Sequence, residues 1–298
     1  MEAFKPLKNK VTVMFMPRKL VEEQLIQLLK DDVGQGDATA TAIIPQNLTI
    51  TAEVIAKESG IAAGIKEATI LAQAVNLKVK AYVTDGEQIK NKQVLIQITG
   101  DTQAILTVER TLLNLLSRMC GIATTTWEFT EKLKTVNPSA VIAATRKTAP
   151  GLLYFDKKAV TIGGGDPHRL HLDDMILIKD NHIAVIGDPA KAVKLAKKNT
   201  SFSKKIEVEI TKATDILQVA EAGADIIMLD NFTPDEANKA AEILKNAKLP
   251  HKVLLEVSGG INNETLLDYA QAKVDIISIG ALTHSVKALD ISLEIIKK

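Results

Sequence analysis

The chain of 298 residues contains a single cysteine, Cys120. A disulfide framework within the chain and a cysteine-rich zinc or iron–sulfur site are thereby excluded, and a reducing, cytoplasmic setting is the expectation. Net charge is scarce as well: 37 Lys and Arg face 36 Asp and Glu, leaving +1. Such a chain has no global field to draw in a nucleic acid or a membrane, so neither is expected as a partner. Long apolar runs are missing too, since no segment approaches the roughly 20 residues that a membrane-spanning helix needs. The first residues carry Glu2, Lys5, Lys8 and Lys10 among short apolar pieces, unlike the continuous apolar centre of a signal peptide. Arginine is the most telling scarcity. Of the 37 cationic side chains only Arg18, Arg110, Arg118, Arg146 and Arg169 are Arg, so generic solvated charge is left to Lys. Arg, with its planar fork, is kept for places where bidentate recognition of an oxyanion matters.

What is present is a hydrophobic content of 46%, enough for a buried core in one large domain or two modest ones. Local charge is concentrated. Residues 145–182 hold two Arg, four Lys, three His and the run Gly163-Gly164-Gly165. In a chain of nearly zero net charge, that cluster is aimed at a small anionic ligand.

From about residue 139 a short β-branched run, polar residues and an amphipathic stretch recur. The runs are 141–144, 175–178, 206–208, 226–229, 253–255 and 276–279, and they read as buried parallel strands. Between the last of them lies a helix signal: Thr233-Pro234-Asp235-Glu236 offers an N-cap, a proline at N1 and a capping-box Glu, and Ala237, Ala240, Ala241 and Leu244 share one face. Strand and helix alternation means α/β, and periodicity alone does not choose a barrel over a doubly wound sheet. The strand ends discriminate better. Thr145-Arg146-Lys147, Lys179-Asp180-Asn181, Glu209, Asp230-Asn231, Ser258-Gly259-Gly260 and Gly280-Ala281 follow the six runs, as expected for a (β/α) barrel whose strand ends converge on one mouth. Glu207 and Glu209 are read as facing opposite ways, which leaves Glu207 an ordinary strand residue.

Before about residue 115 the pattern differs. Strands at 50–56, 79–83 and 94–98 and a helix at 68–77 suggest an α+β domain, and 102–117 reads as a long helix leading onward. The domain boundaries that follow are 1–115 for the α+β part and 116–282 for the barrel, with a C-terminal helix over about 283–298 packing back on the first domain.

Several features take plain readings. His168-x-x-His171 lacks an obvious third ligand for zinc. The three glycines are not followed by Lys-Ser/Thr, so they form no nucleoside-triphosphate loop and read as a flexible loop. Lys179 at a strand end is also placed as a Schiff-base nucleophile would be.

The motifs "GQGDATA", "VERTLLNLLSRMCGIAT", "TRKTAPGL", "GGGDPHR", "LIKDNHI", "IEVEI", "GADIIMLDNFTP", "LEVSGGI" and "ISIGALTHSVKALDISL", in this order, resemble quinolinate phosphoribosyltransferase over nearly the full length. The resemblance implies an incomplete TIM-like barrel of the type II phosphoribosyltransferase kind with an N-terminal α+β open-sandwich domain. It also implies transfer of phosphoribosyl from phosphoribosyl pyrophosphate to quinolinate, with decarboxylation to nicotinate mononucleotide. Carried over by motif, Arg110, Thr145, Arg146, Lys147, His168, Arg169 and Lys179 bind quinolinate and pyrophosphate, with Arg110 supplied by the adjacent subunit of a homodimer. Glu209, Asp230 and Lys147 are catalytic. Glu209 and Asp230 also hold Mg²⁺, directly or through water, and Ser258, Gly259, Gly260, Gly280 and Ala281 hold the 5′-phosphate. Asp166-Pro167 departs from the family pattern just before His168. Two rival readings stand beside this one: another phosphate-handling barrel enzyme, such as an aldolase using Lys179 or a nicotinate-using relative, and a non-catalytic binder of a phosphorylated metabolite.

Overall fold

The computed structural model describes residues 16–247 and 249–296; the expectations for residues 1–15 and 297–298 lie outside them. In chain order the strands are β1 (Thr49–Ala56), β2 (Gly60–Ile61), β3 (Lys78–Ala81), β4 (Gln88–Ile89), β5 (Val94–Asp101), β6 (Val141–Ala144), β7 (Ile176–Ile178), β8 (Ile206–Ile210), β9 (Ile226–Asp230), β10 (Leu254–Ser258), β11 (Ile276–Ile279) and β12 (Ile291–Ile295). The chain forms two compact units. One comprises Glu128–Leu153 and Gly165–Ser285, the other residues 16–127, Tyr154–Gly164 and 286–296.

The first unit is an α/β barrel-like domain. Its six strands form a parallel sheet in the order β6-β11-β10-β9-β8-β7. No ladder joins β6 to β7 among the described residues, so the barrel is incomplete. Ile206, Val208 and Ile210 of β8, Ile227 and Leu229 of β9, Leu255 and Val257 of β10, and Ile277 and Ile279 of β11 share one apolar core. The β-branched content of these runs suits strands buried on both faces. The helix Pro234–Asn246 begins as its sequence requires, with Thr233 and Glu236 forming a capping box and Pro234 in the first turn. Ala237 and Ala240 are buried, and Ala241 and Leu244 pack partly buried against the same core.

The second unit is α+β. Its main sheet is antiparallel in the order β12-β1-β5-β3, accompanied by helices Arg18–Val33 and Ile65–Ala74. The helix beginning at Thr102 runs to Lys134, well beyond residue 117, and passes from this unit into the other between Trp127 and Glu128. The expected C-terminal helix over 283–298 is corrected. Only Ala281–His284 is helical, and β12 pairs antiparallel with β1, Ile291 opposite Ala56 and Ile295 opposite Ala52. Ile291, Leu293 and Ile295 alternate with polar residues, a period of two that fits a strand and not a helix.

The glycine run also differs from expectation. A Cβ on Gly163, just past helix Leu153–Ile162, would lie 2.4 Å from the Ala123 carbonyl oxygen and 2.7 Å from Thr126 Cβ. Gly163 is therefore a close-packing position against helix Thr102–Lys134, where any side chain collides with backbone. Arg118 on that helix makes a bidentate pair with the fully buried Asp156, at 2.7 and 2.8 Å.

Candidate active site

Alternation along the barrel strands builds the site. On β8 the residues Ile206, Val208 and Ile210 enter the core shared with the helices. Glu207 and Glu209, two residues apart, therefore share the opposite face, because side chains alternate with a period of two. The expectation that they face opposite ways is corrected on this ground. Met228 and Asp230 on β9 and Glu256 and Ser258 on β10 follow the same pattern, and Ser278 on β11 leads into Gly280. Register ties the tiers together: Glu209 stands opposite Met228, Met228 opposite Glu256, Asp230 opposite Ser258, and Ser258 opposite Ser278.

These faces and the loops after the strands enclose a cavity of about 750 Å³. Thr145, Arg146, Lys147, His168, Arg169 and Lys179 line it, together with Glu209 and Asp230. Ser258, Gly259, Gly260, Gly280 and Ala281 complete the set. Arg110 is not among the lining residues: it is exposed on helix Thr102–Lys134, in the other unit. His171 joins no potential metal cluster among the described residues.

Local hydrogen bonds hold the loops. Lys147 donates its N–H to Thr145 Oγ1 at 3.2 Å, and Thr283 Oγ1 donates to the Lys147 carbonyl at 2.9 Å. The Lys179 N–H donates to His182 Nδ1 at 2.9 Å, in the first turn of helix Asp180–Ile186. In the turn after β10, Gly259 has φ +108° and Gly260 φ +61°. Asn231, itself at φ +58°, donates its amide to Asp230 Oδ2 at 2.9 Å and its backbone N–H to the Ser258 carbonyl at 2.9 Å. Turns of this kind present backbone N–H groups to an anion without side chains in the way.

The loop bearing His168 is anchored at Asp166. Asp166 pairs with β6, donating to the Ile142 carbonyl at 2.8 Å, and its Oδ1 accepts from the His168 N–H at 2.6 Å. His168 has φ +53°. Its Nε2 lies 3.2 Å from Glu207 Oε2 and 3.4 Å from Glu256 Oε2, and both carboxylates are fully buried. Burial opposes the charged imidazole, but the hydrogen bonds and charges of Glu207 and Glu256 outweigh it and lift its pKa from 6.5 to about 10. Burial pushes the Glu207 carboxyl up, with His168 pulling it back. Glu209 is raised by burial against the pull of Lys179. Arg169 is lowered by burial and by the neighbouring Arg146, while Glu207 works the other way.

Glu207 and Glu256 are the functional candidates that reading the sequence missed; correct alternation from Glu209 and Ser258 would have found both. Asn231 and His284 also line the cavity, and each sits one to three residues from a predicted position.

Residues 122–294 match the quinolinate phosphoribosyl transferase C-terminal domain, and residues 37–120 match its N-terminal domain. The chain belongs to the quinolinate phosphoribosyltransferase family. A relative from Methanocaldococcus jannaschii, named a probable nicotinate-nucleotide pyrophosphorylase (carboxylating), is 44% identical over 284 residues, covering 93% of this chain and 99% of the relative. The nicotinate-nucleotide pyrophosphorylase of Francisella tularensis superposes with a TM-score of 0.84 at 34% identity, over 95% of this chain and 98% of that one. Human nicotinic acid phosphoribosyltransferase shares the fold alone, with a TM-score of 0.60 at 14% identity over 93% of this chain and 74% of that one. The fold is thus shared with a protein named for a different pyridine acid. No helix of the described residues is long and apolar enough to cross a membrane.

Proposed function

We infer that the protein transfers the phosphoribosyl group of phosphoribosyl pyrophosphate to the nitrogen of quinolinate, releasing pyrophosphate and CO₂ and leaving nicotinate mononucleotide. The observation that carries this reading is the meeting, in one cavity, of Arg146, Lys147, His168, Arg169 and Lys179 with the Ser258-Gly259-Gly260 and Gly280-Ala281 turns. Quinolinate brings two carboxylates and the co-substrate a phosphate and a pyrophosphate. A monocarboxylate such as nicotinate would leave part of the cation cluster unpaired in a partly closed site, which is costly.

The chain's residues divide the work. Arg146, Arg169 and His168 face the two carboxylates of quinolinate, Lys147 and Lys179 lie beside the pyrophosphate, and the glycine turns receive the 5′-phosphate on backbone N–H groups. As the C1′–oxygen bond breaks, positive charge grows on the ribose and negative charge on the leaving group. Preorganised charges then favour the transition state without a covalent nucleophile. After the pyridine nitrogen bonds to C1′, the C2 carboxylate departs as CO₂; its electron pair stays on C2, which takes up a proton. The pair Glu209 and Asp230 suits Mg²⁺. Glu209 Oε2 is buried with no hydrogen-bond partner among the described residues, and hard oxygen donors match that ion. Mg²⁺ bound there would offset pyrophosphate charge, while the two carboxylates stand beside the ribose as its positive charge develops.

The reading extends to a cytoplasmic homodimer with shared sites, in which the exposed Arg110 completes the quinolinate pocket of the partner. The test is an assay with Mg²⁺, phosphoribosyl pyrophosphate and either quinolinate or nicotinate. Quinolinate yields the mononucleotide and CO₂, and nicotinate reacts very poorly. Equal turnover of both acids would overturn the match to two carboxylates.

A further inference from the structure

Two carboxylates lie in the barrel interior with full burial, Glu207 on β8 and Glu256 on β10. Packing does not call for them, because the neighbouring positions on the same strands are filled by Ile, Val and Leu. Burying a carboxylate is expensive unless a cation or hydrogen bonds compensate it, and two converging carboxylates add mutual repulsion. Both converge on one atom, His168 Nε2, at 3.2 and 3.4 Å. Both Glu207 oxygens and Glu256 Oε1 have no hydrogen-bond partner among the described residues. Glu207 meets the ring as an ion pair and Glu256 Oε2 as a hydrogen bond as well, so the imidazole answers their charge at close range, with the Arg169 charge adding to it at Glu207.

The ring is over-determined from the backbone side too. His168 occupies the left-handed region at φ +53°, a conformation that a residue with a side chain keeps only when its surroundings hold it there. Asp166 Oδ1 holds its N–H. The ring lines the cavity, and its Nδ1 makes no hydrogen bond among the described residues. Arg169 stands next in the chain, with Arg146 close enough that the two cations disfavour each other and Glu207 opposes that effect.

We propose that Glu207 and Glu256 are positioning residues that clamp the Nε2 edge of the His168 ring from beneath, fixing it as a cation whose opposite edge meets a carboxylate of the substrate. The same buried charge lets Arg146, Arg169 and His168 share one small volume before any substrate arrives. The substrate half of this inference rests on the proposed function; the clamp itself does not.

The test uses the full-length protein and the isosteric variants E207Q and E256Q, which keep side-chain volume and remove charge. In the ligand-free protein, ¹⁵N-detected NMR of His168 follows its protonation. The midpoint in the wild type lies well above the ordinary value of about 6.5, and in each variant it falls toward that value. In the assay, KM for quinolinate rises by about 10- to 100-fold, the range expected for a weakened charge-assisted contact. KM for phosphoribosyl pyrophosphate stays near that of the wild type, a split that general loosening of the fold does not produce. E207D and E256D restore part of the quinolinate affinity. Should one Gln variant fail to fold, the other carries the test. An unchanged His168 midpoint in a folded variant would overturn the clamp. A normal shift with no quinolinate turnover by the wild type would overturn the proposed function and leave the clamp standing. A divalent ion retained stoichiometrically by the wild type through dialysis, and lost from both Gln variants, would overturn the proposal by making the three side chains metal ligands.

Discussion

Asn231 Oδ1 occupies the space into which a side chain on Gly259 would grow: a Cβ built there lies 2.2 Å from that oxygen and 2.9 Å from the Asn231 backbone nitrogen. The turns after β9 and β10 are thus interlocked, and the Ser258-Gly259-Gly260 turn is defined by its neighbour as much as by its own residues.

Gly259→Ala combines this collision with a φ of +108°, which an L side chain rarely adopts. Because the turn lies at the cavity mouth, the damage falls on binding. KM for phosphoribosyl pyrophosphate rises tenfold or more, about 1.4 kcal/mol of lost affinity, while the far-ultraviolet circular dichroism is unchanged.

Glu209→Ala and Asp230→Ala remove strand-end carboxylates from the cavity without touching the core. Each variant folds with an unchanged melting temperature, yet kcat drops by about 100-fold or more, as when one preorganised electrostatic contact to a transition state is lost. Steady-state kinetics beside a thermal melt separates this outcome from simple destabilisation.

His168 gives stability a dependence on pH. Its pKa is about 10 in the folded chain against 6.5 for the ordinary group, so the folded state holds the proton more tightly. Its contribution is complete below pH 6.5 and is lost as pH rises toward 10. Urea midpoints of the wild type therefore fall across this window, and those of His168→Gln fall less steeply. Parallel curves for the two proteins would contradict the assignment.

Gly163→Ala pushes a methyl group into the Ala123 carbonyl, and backbone cannot step aside as a flexible side chain does. Overpacking of this sort costs about 1–3 kcal/mol. The variant melts several degrees lower, with KM values for both substrates unchanged when measured at a temperature where it remains folded.

The barrel strands were legible because their signal is local: β-branched runs ending in polar or glycine residues reported both the element and its mouth-facing end. Thirteen of the fourteen predicted site positions line one cavity, eleven of them at or just after strand ends and His168 and Arg169 on a loop, and the fourteenth, Arg110, lies in the other unit. Glu207 was read as an ordinary strand residue and Glu256 was not singled out, although alternation from Glu209 and Ser258 puts both on the cavity-side face. Their role depends on His168, which arrives from a loop 39 residues earlier than Glu207, and pairing across such a distance leaves no trace in local periodicity. The strand Ile291–Ile295 was read as helix although Ile291, Leu293 and Ile295 carry the strand's period. Its partner β1 lies more than 200 residues earlier, so only the tertiary pairing reveals what that alternation is for.

That late strand has a bearing on synthesis. The edge of β1 that β12 covers is built from residues made in the first fifth of the chain, and its cover is made almost last. Throughout elongation the nascent α+β unit carries an open row of backbone donors and acceptors, the kind of edge that recruits strands from other chains. A ribosome stalled or terminated shortly before residue 291 would release nearly the whole barrel sequence together with this uncovered edge. Truncation there would be punished by aggregation rather than by loss of any group in the cavity.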